Sequence, residues 1–523
     1  QVMADAERLS AEDEPYHREP ITYEAPYLDN LPTAPREKFA ANIAAIQKLK
    51  EIEQRVANGG SPAFEDEQKI LAQYTGWGGL SDAFDPNKSA WLNEYSQLKA
   101  ALSESEYEAA RSSTLTAFYT PATVIHPIYR ALECFGVKGG KILEPSMGTG
   151  AFLAHGHFGS SDAKFYGVEL DSITGRISKQ LYQKANIQVT GYENALLPDN
   201  YFDCVIGNVP FGNFQVNDPQ YNRLHFPIHD YFFAKSIDKL RTGGIMAFIT
   251  SSGTLDKKDD RARKYIAERC DLIGAVRLPN NAFKGSGTKI MTDVIFLQKR
   301  DTLRQQDEPW LHLAEDANGI TMNRYFVEHP EMICGRMEIV SGPYGPTSTC
   351  QPIDPDAVDR FGKPLLETQI DTAMQHLTAT LTKAEIPIQE ESGEDTKYID
   401  ADPFVRNFSY TVKDDKIYYR EGAVMRECNP NAASAERIRK LVELRDTTRA
   451  LIDAQLQDLS DEEIHRLQAQ LNRQYDAFRA KHGLINSRSA ELSFRDDSSY
   501  YLLCSLENVD EKGNFISKSD MFT

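Results

Sequence analysis

The 523-residue sequence has no Cys-x-x-Cys pair, and its seven cysteines, at 134, 204, 270, 334, 350, 428 and 504, are odd in number and scattered. That argues against a disulfide framework or a zinc site and for a reducing, cytoplasmic setting, with no metal expected. No apolar run approaches the length of a membrane span and no signal peptide is visible, so no membrane partner is expected. A Walker A sequence is missing, and with it the means to hydrolyse ATP. Internal repeats and low-complexity tracts are missing too. Positive charge is short: 58 Lys and Arg against 77 Asp and Glu leave a net −19, a poor match to a free nucleic-acid binder. The shortage is uneven. From Lys235 to Arg300 fourteen Lys and Arg face seven Asp and Glu, a local +7 that leaves −26 for the remainder. Such a segment suits either a phosphate backbone or an ordinary solvated helix face.

What is present is a globular composition, 41% hydrophobic and 10% aromatic, in a chain long enough for about two to four domains with real cores. From its ends, Gln1 and Asp520-Met521-Phe522-Thr523, we expect a piece excised from a longer protein. The chain is organised around Asp203-Cys204-Val205-Ile206-Gly207-Asn208-Val209-Pro210-Phe211-Gly212. Phe202 to Ile206 reads as a buried strand of a parallel sheet, broken at Gly207 into a turn. In an open α/β sheet, ligands bind beyond the carboxyl ends of the strands. A turn there with Asn208, the Val209 carbonyl, rigid Pro210 and the Phe211 ring suits a planar group carrying an exocyclic NH2. Asn208 Oδ1 and the Val209 carbonyl each accept one N–H, leaving the nitrogen lone pair free to attack an electrophile. That chemistry is alkylation of an amino group.

Upstream, Lys141-Ile142-Leu143-Glu144-Pro145-Ser146-Met147-Gly148-Thr149-Gly150-Ala151-Phe152-Leu153 is a strand, a glycine-rich turn and a helix start, letting backbone approach a nucleoside. It lacks the Gly-x-Gly-x-x-Gly spacing of dinucleotide sites. A second strand, Phe165 to Val168, ends in Glu169, placed to accept both ribose hydroxyls, while Asp171 suits a helix cap. A third, Ile187 to Thr190, leads to Glu193 and Asn194. Tyr119-Thr120-Pro121 opens a helix, whose hydroxyl and free N–H groups suit a carboxylate. Downstream come a helix from His229 to Leu240, a strand over 243–250, a basic helix over 261–269, and paired strands over 272–279 and 292–297. His229 reads as structural.

Asn208-Val209-Pro210-Phe211 resembles the Asn-Pro-Pro-Tyr/Phe motif of S-adenosylmethionine-dependent amino methyltransferases, with Val209 in place of the commoner Pro. Glu144-Pro145-x-x-Gly148-x-Gly150 resembles their cofactor loop. Phe118-Tyr119-Thr120-Pro121 resembles the cofactor motif of type I restriction-modification methylation subunits. The motif order, with seven residues between Asn194 and the catalytic strand, is similar to that of γ-type N6-adenine DNA methyltransferases. The resemblance implies a Rossmann-like α/β sheet over 114–300, flanked by mainly helical segments. It implies S-adenosylmethionine bound by Tyr119, Thr120, Glu144, Pro145, Gly148, Gly150, Phe152, Glu169 and Glu193, with Asn194 the alternative to Glu193. Catalysis falls to Asn208, Val209, Pro210 and Phe211. Phe283, between the paired strands, fits an aromatic stacking on a flipped adenine opposite Phe211, or else a core aromatic, and Lys284 is expected beside the substrate. Double-stranded DNA is the expected partner. Tyr74 to Leu80, Ile206 to Gly212 with His229 to Phe233, and Leu484 to Arg488 resemble large methylase–helicase proteins of mobile elements and phages, in which a helicase region follows. RNA or protein glutamine as substrate, and a non-catalytic scaffold, are the competing readings.

Around this domain the sequence suggests an arm at 1–35, a helical segment at 36–113, a mixed α+β segment at 301–430 that could recognise DNA, and a helical hairpin with a C-terminal segment at 431–523. Phe39, Ile43, Ile46, Leu49 and Ile52 form one stripe of a helix over 36–56. Gly76-Trp77-Gly78-Gly79 makes a tight loop that could pack against the site, with Trp77 a packing anchor. Ser460-Asp461-Glu462-Glu463 is a capping box and Gly483 a helix stop.

Overall fold

The computed structural model describes residues 19–27, 31–114, 119–156, 158, 163–283, 290–342, 345–354, 357–381, 398–402, 405, 406, 408–421, 424–457, 459–510 and 513–522. Among them no helix is long and apolar enough to cross a membrane. The chain divides into two compact units, Gln1–Ala195 with Asp199–Gln389, and Glu390–Thr523 with Leu196–Pro198.

The first unit is built on a seven-stranded sheet: β1 Lys141–Glu144, β2 Lys164–Glu169, β3 Asn186–Val189, β4 Phe202–Asn208, β5 Leu240–Ser251, β6 Cys270–Leu278 and β7 Thr292–Lys299. Their order is β3-β2-β1-β4-β5-β7-β6. β1 to β5 pair in parallel, and β7 runs antiparallel between β5 and β6. The continuous apolar runs of β4 and β5 follow from burial on both faces, and Phe202, Phe248 and Phe296 are fully buried. Strand order reverses at β1, where β2 lies on one side and β4 on the other, so a crevice opens beyond the carboxyl ends of these three strands.

Two local readings are corrected. β4 does not stop at Gly207. It continues to Asn208, paired with Ile249, because glycine tolerates the φ of +150° at 207. Pro121 is the N-cap of the helix Ala122–Cys134 rather than part of its first turn.

Helix Pro35–Ala57 buries the expected stripe. That stripe joins Trp77, Met147, Leu153, Ile173, Ile177, Leu181 and Tyr182 in one hydrophobic core. The N-terminal helices thus share a core with the helices Ala151–His155 and Ser172–Leu181 that follow β1 and β2. Arg176 closes the seam with ion pairs to Glu53 and Glu106. Trp77 is buried with its ring edge-on to Phe39, Tyr74 and Phe84, as a packing anchor should be.

The second unit carries a four-stranded antiparallel sheet, ordered Tyr398–Asp400, Val424–Cys428, Lys416–Glu421, Tyr410–Lys413, and two long helices, Ala432–Leu456 and Asp461–His482. Ser460 caps the second helix through its side chain, and Gly483 ends it at a φ of +81°. The C-terminal segment after 484 contains helices Arg488–Phe494 and Tyr500–Cys504. Glu507 organises it, accepting from Tyr475 Oη, from the Ile485 and Asn486 backbone N–H groups, and from Asn486 Nδ2. The Leu484 to Arg488 motif is therefore a turn tied to a buried carboxylate.

Candidate active site

Glu144, Glu169 and Asn208 end three neighbouring strands, β1, β2 and β4. The glycine-rich turn after β1 holds Gly148 at φ +55° and Gly150 at φ +77°. Its carbonyls are pinned from behind: Gly148 O accepts from Ser178 Oγ at 2.8 Å and Thr149 O from Tyr182 Oη at 3.0 Å. Glu169 reaches across from β2. Its Oε2 accepts the Gly148 N–H and its Oε1 the Asp171 N–H, each at 2.8 Å. Burial pushes the Glu169 carboxyl up to about 7, against the pull of those amides. A carboxylate has about four acceptor positions, so both oxygens keep capacity for a diol. Asp171 caps the next helix, accepting from Thr174 N at 2.8 Å.

Asn208 is set by its backbone. Its carbonyl accepts from Ser146 Oγ at 2.9 Å, its Nδ2 donates to Thr120 Oγ1 at 3.2 Å, and its Oδ1 is buried without a hydrogen-bond partner among the described residues. Glu144 Oε2 is in the same condition. Its side chain lies against Gly207, where a Cβ would stand 3.4 Å from Glu144 Cγ. Burial, then the nearby Glu169, raises the Glu144 pKa well above the carboxylate range. An unsatisfied buried acceptor costs about 1–3 kcal/mol. Two of them at a topological switch point fit a ligand bearing N–H groups. Val209 donates its N–H to Ile249 O at 3.0 Å, a ladder bond that Pro at this position would lack. The turn therefore gains from the sheet the rigidity that Val in place of Pro gives up. Pro210 and Phe211 are half-buried beside it. His229 is buried, and burial lowers its pKa.

Tyr119 lies between two glycines. A Cβ on Gly76 would meet Tyr119 Oη at 2.6 Å, and one on Gly148 would meet Tyr119 Cε1 at 3.3 Å. The Gly76 loop is clamped by Asn42, which takes the Thr75 N–H at 2.8 Å and donates to Gly76 O at 2.6 Å. Reading the sequence missed Asn42, although a lone amide within the apolar stripe of its helix was the available signal. Gly76→Ala, at φ +67°, is expected to strain the loop by about 1–2 kcal/mol and push Tyr119 off Gly148. Cofactor affinity should fall about tenfold, read by titration calorimetry, with the melting temperature as control.

The other expected residues are less gathered. Pro145 is buried. Phe152 is buried in the core, its carbonyl accepting from Tyr129 Oη at 2.8 Å. Glu193 folds back over Gly191 and accepts from Asn194 Nδ2 at 3.1 Å. Phe283 is buried at the end of a loop held by Asn280, which bonds the Cys350 carbonyl through its N–H and Thr349 through its side chain. Lys284 lies outside the described residues.

A sheet of this order, with a glycine-rich turn after β1, an acid ending β2 and an Asn-Val-Pro-Phe turn after β4, has the layout of a Rossmann-like methyltransferase fold. Residues 105–322 match the family described as N-6 DNA Methylase. The chain is 27% identical over 310 residues to Defense against restriction protein B of Escherichia phage P1, covering 58% of this chain and 12% of that protein. It is 27% identical over 183 residues to Modification methylase CviBIII of Paramecium bursaria Chlorella virus NC1A, covering 34% of this chain and 48% of that one. To the Type I restriction enzyme EcoEI methylase subunit of Escherichia coli it is 27% identical over 233 residues, covering 39% and 46%. The chain thus spans less than half the length of each of these relatives.

Proposed function

We propose that this chain transfers a methyl group from S-adenosylmethionine to N6 of an adenine in DNA, as a site-specific methyltransferase. The observation that carries the reading is the buried, unpartnered Asn208 Oδ1 beside Val209 at the end of β4. The match to the N-6 DNA Methylase family and the likeness to two proteins named as methylases support it.

When bound, S-adenosylmethionine supplies a methyl group on a sulfonium. The protein holds and orients. Tyr119, Thr120 and Glu144 bind the amino-acid end, Gly148 and Gly150 let backbone approach, and Glu169 accepts from the ribose. Pro145 and Phe152 shape the loop, and Glu193 meets the adenine amino group of the cofactor. Asn208 Oδ1 and the Val209 carbonyl take the two hydrogens of the target NH2 and leave its lone pair facing forward. Pro210 stiffens the turn, while Phe211 and Phe283 flank the flipped base and Lys284 attends the strand. Positioning accounts for most of the acceleration. His229, buried and with its pKa lowered by that burial, packs behind the turn rather than taking a proton. DNA is the partner, with a downstream helicase region of the same protein a further one.

The test is transfer of labelled methyl from S-adenosylmethionine to unmethylated DNA, RNA and bulk protein. N6-methyladenine in DNA is the expected product, and label in RNA or protein alone would overturn the DNA assignment. Binding should also respond to pH. Ribose hydroxyls donate to the ionised Glu169, whose pKa stands at about 7 before binding. Affinity is therefore expected to rise with pH by up to about tenfold per unit below that value and level off above it. Glu169→Gln should weaken binding and flatten the slope, measured by calorimetry.

A further inference from the structure

The turn at 208–212 leads into residues 213–227, which are tied down by hydrogen bonds while exposing one aromatic ring. Phe214 is 54% exposed, yet its position is fixed. Its carbonyl accepts the Ile228 N–H at 2.9 Å, and its ring lies on Gly212, where a Cβ would stand 2.6 Å from Phe214 Cε1.

The loop is anchored from beneath. Asp218, 3% exposed, accepts from Lys235 Nζ and Tyr231 Oη, each at 2.8 Å, and from the Gln220 N–H at 3.1 Å. Lys235, 4% exposed, also donates to the Glu193 carbonyl at 3.3 Å, tying the loop to the turn after β3. Asn222 Oδ1 takes the Asp218 N–H at 2.9 Å. A buried Lys–Asp pair is a poor source of stability, but here it fixes a surface loop to the helix Ile228–Lys239.

Charge points the same way. Between Val209 and Ile228 the sole acid is Asp218, buried and paired, in a chain of net charge −19. The exposed neighbours of Phe214 are Asn213, Gln215 and Asn217, with Arg223 farther along. A phosphate backbone can approach such a surface, and amides can meet base edges.

We propose that Phe214 is a wedge that fills the space a target adenine leaves when it moves out of the duplex toward Asn208. This rests on the DNA reading above. Extruding a base breaks its pair and its stacking; an aromatic ring entering the gap restores stacking to the neighbouring bases. The wedge matters only where there is a stack to hold open.

The experiment compares methyl transfer by the wild type, Phe214→Ala and Phe214→Trp on unmethylated double-stranded plasmid DNA and on the same DNA denatured to single strands. Melting curves of the three proteins report folding. Phe214→Ala should lose about tenfold or more on duplex and stay within about twofold of wild type on single strands. Phe214→Trp should retain most of the duplex activity. Equal losses on both substrates would make the ring a support for the turn and overturn the wedge, as would undiminished duplex activity. Failure of the wild type on both forms of DNA would instead remove the DNA reading and the wedge with it.

Discussion

Asn208→Ala is expected to lower methyl transfer about a hundredfold or more while leaving cofactor affinity within about threefold of wild type. The substitution spares what shapes the turn: Ser146 Oγ bonds the residue 208 carbonyl, the Val209 N–H bonds Ile249 O, and Gly207 keeps its φ. It removes the Oδ1 acceptor and the Nδ2 bond to Thr120 Oγ1. One hydrogen of the target NH2 then loses its partner, and the lone pair is no longer aimed. Misplacement of a reacting group by about 1 Å is enough for such a loss. The melting temperature should move little, because the lost Nδ2 bond to Thr120 is offset by removal of an oxygen buried without a partner among the described residues. Asn208→Asp keeps an acceptor but loses the donor to Thr120, and its activity should fall between the two. Single-turnover transfer of labelled methyl, with cofactor binding measured separately, decides the matter. Activity within a few-fold of wild type would remove Asn208 from the reaction.

Arg277→Ala should destabilise the first unit by about 3–5 kcal/mol, a large fraction of the roughly 5–15 kcal/mol typical of a folded domain. Arg277 is fully buried on β6 and grips Asp293 of β7 in a two-pronged bond, at 2.8 and 2.9 Å. It also pairs with Asp256 at 2.9 Å and stacks over the Phe326 ring at 4.2 Å. Its carbonyl takes the Cys334 N–H at 2.8 Å. Truncation strands Asp293 without its counter-charge inside the sheet, which is where the destabilisation originates. The double substitution Arg277→Met with Asp293→Leu removes both charges, keeps most of the volume, and is expected to recover a substantial part of the loss. Urea unfolding of the three proteins reads the effect, and a single substitution with an unchanged midpoint would show that the pair is dispensable. Because Arg277 lies just before the loop that ends at Phe283, mild destabilisation should also weaken the proposed methyl transfer before it abolishes folding.

Strands β1 to β7 were legible in the sequence, most of them as apolar runs bounded by turn residues, and such runs depend on local pattern. The same holds for the Asp171 and Ser460 caps, the Gly483 stop and the stripe from Phe39 to Ile52. The chemistry proposed for Asn208 and Glu169 was legible because each stands at the end of such a run. Position relative to the chain, however, says little about position in space. Helices Arg488–Phe494 and Tyr500–Cys504 are too short to show a period and owe their place to Glu507 and the surrounding core. The merging of helix Pro35–Ala57 with the helices behind the glycine-rich turn came from packing, as did the placement of Gly76 against Tyr119 and of Tyr119 against Gly148. So did the burial of the Lys235–Asp218 pair beneath an exposed Phe214. The sequence by itself determined which segments of the central sheet are strands and what functional groups stand near their ends, because apolar runs, turn chemistry and capping act over a few residues. The tertiary structure decided which of those ends meet and which side chains lose water, because contacts between residues a hundred positions apart arise only when the whole core closes.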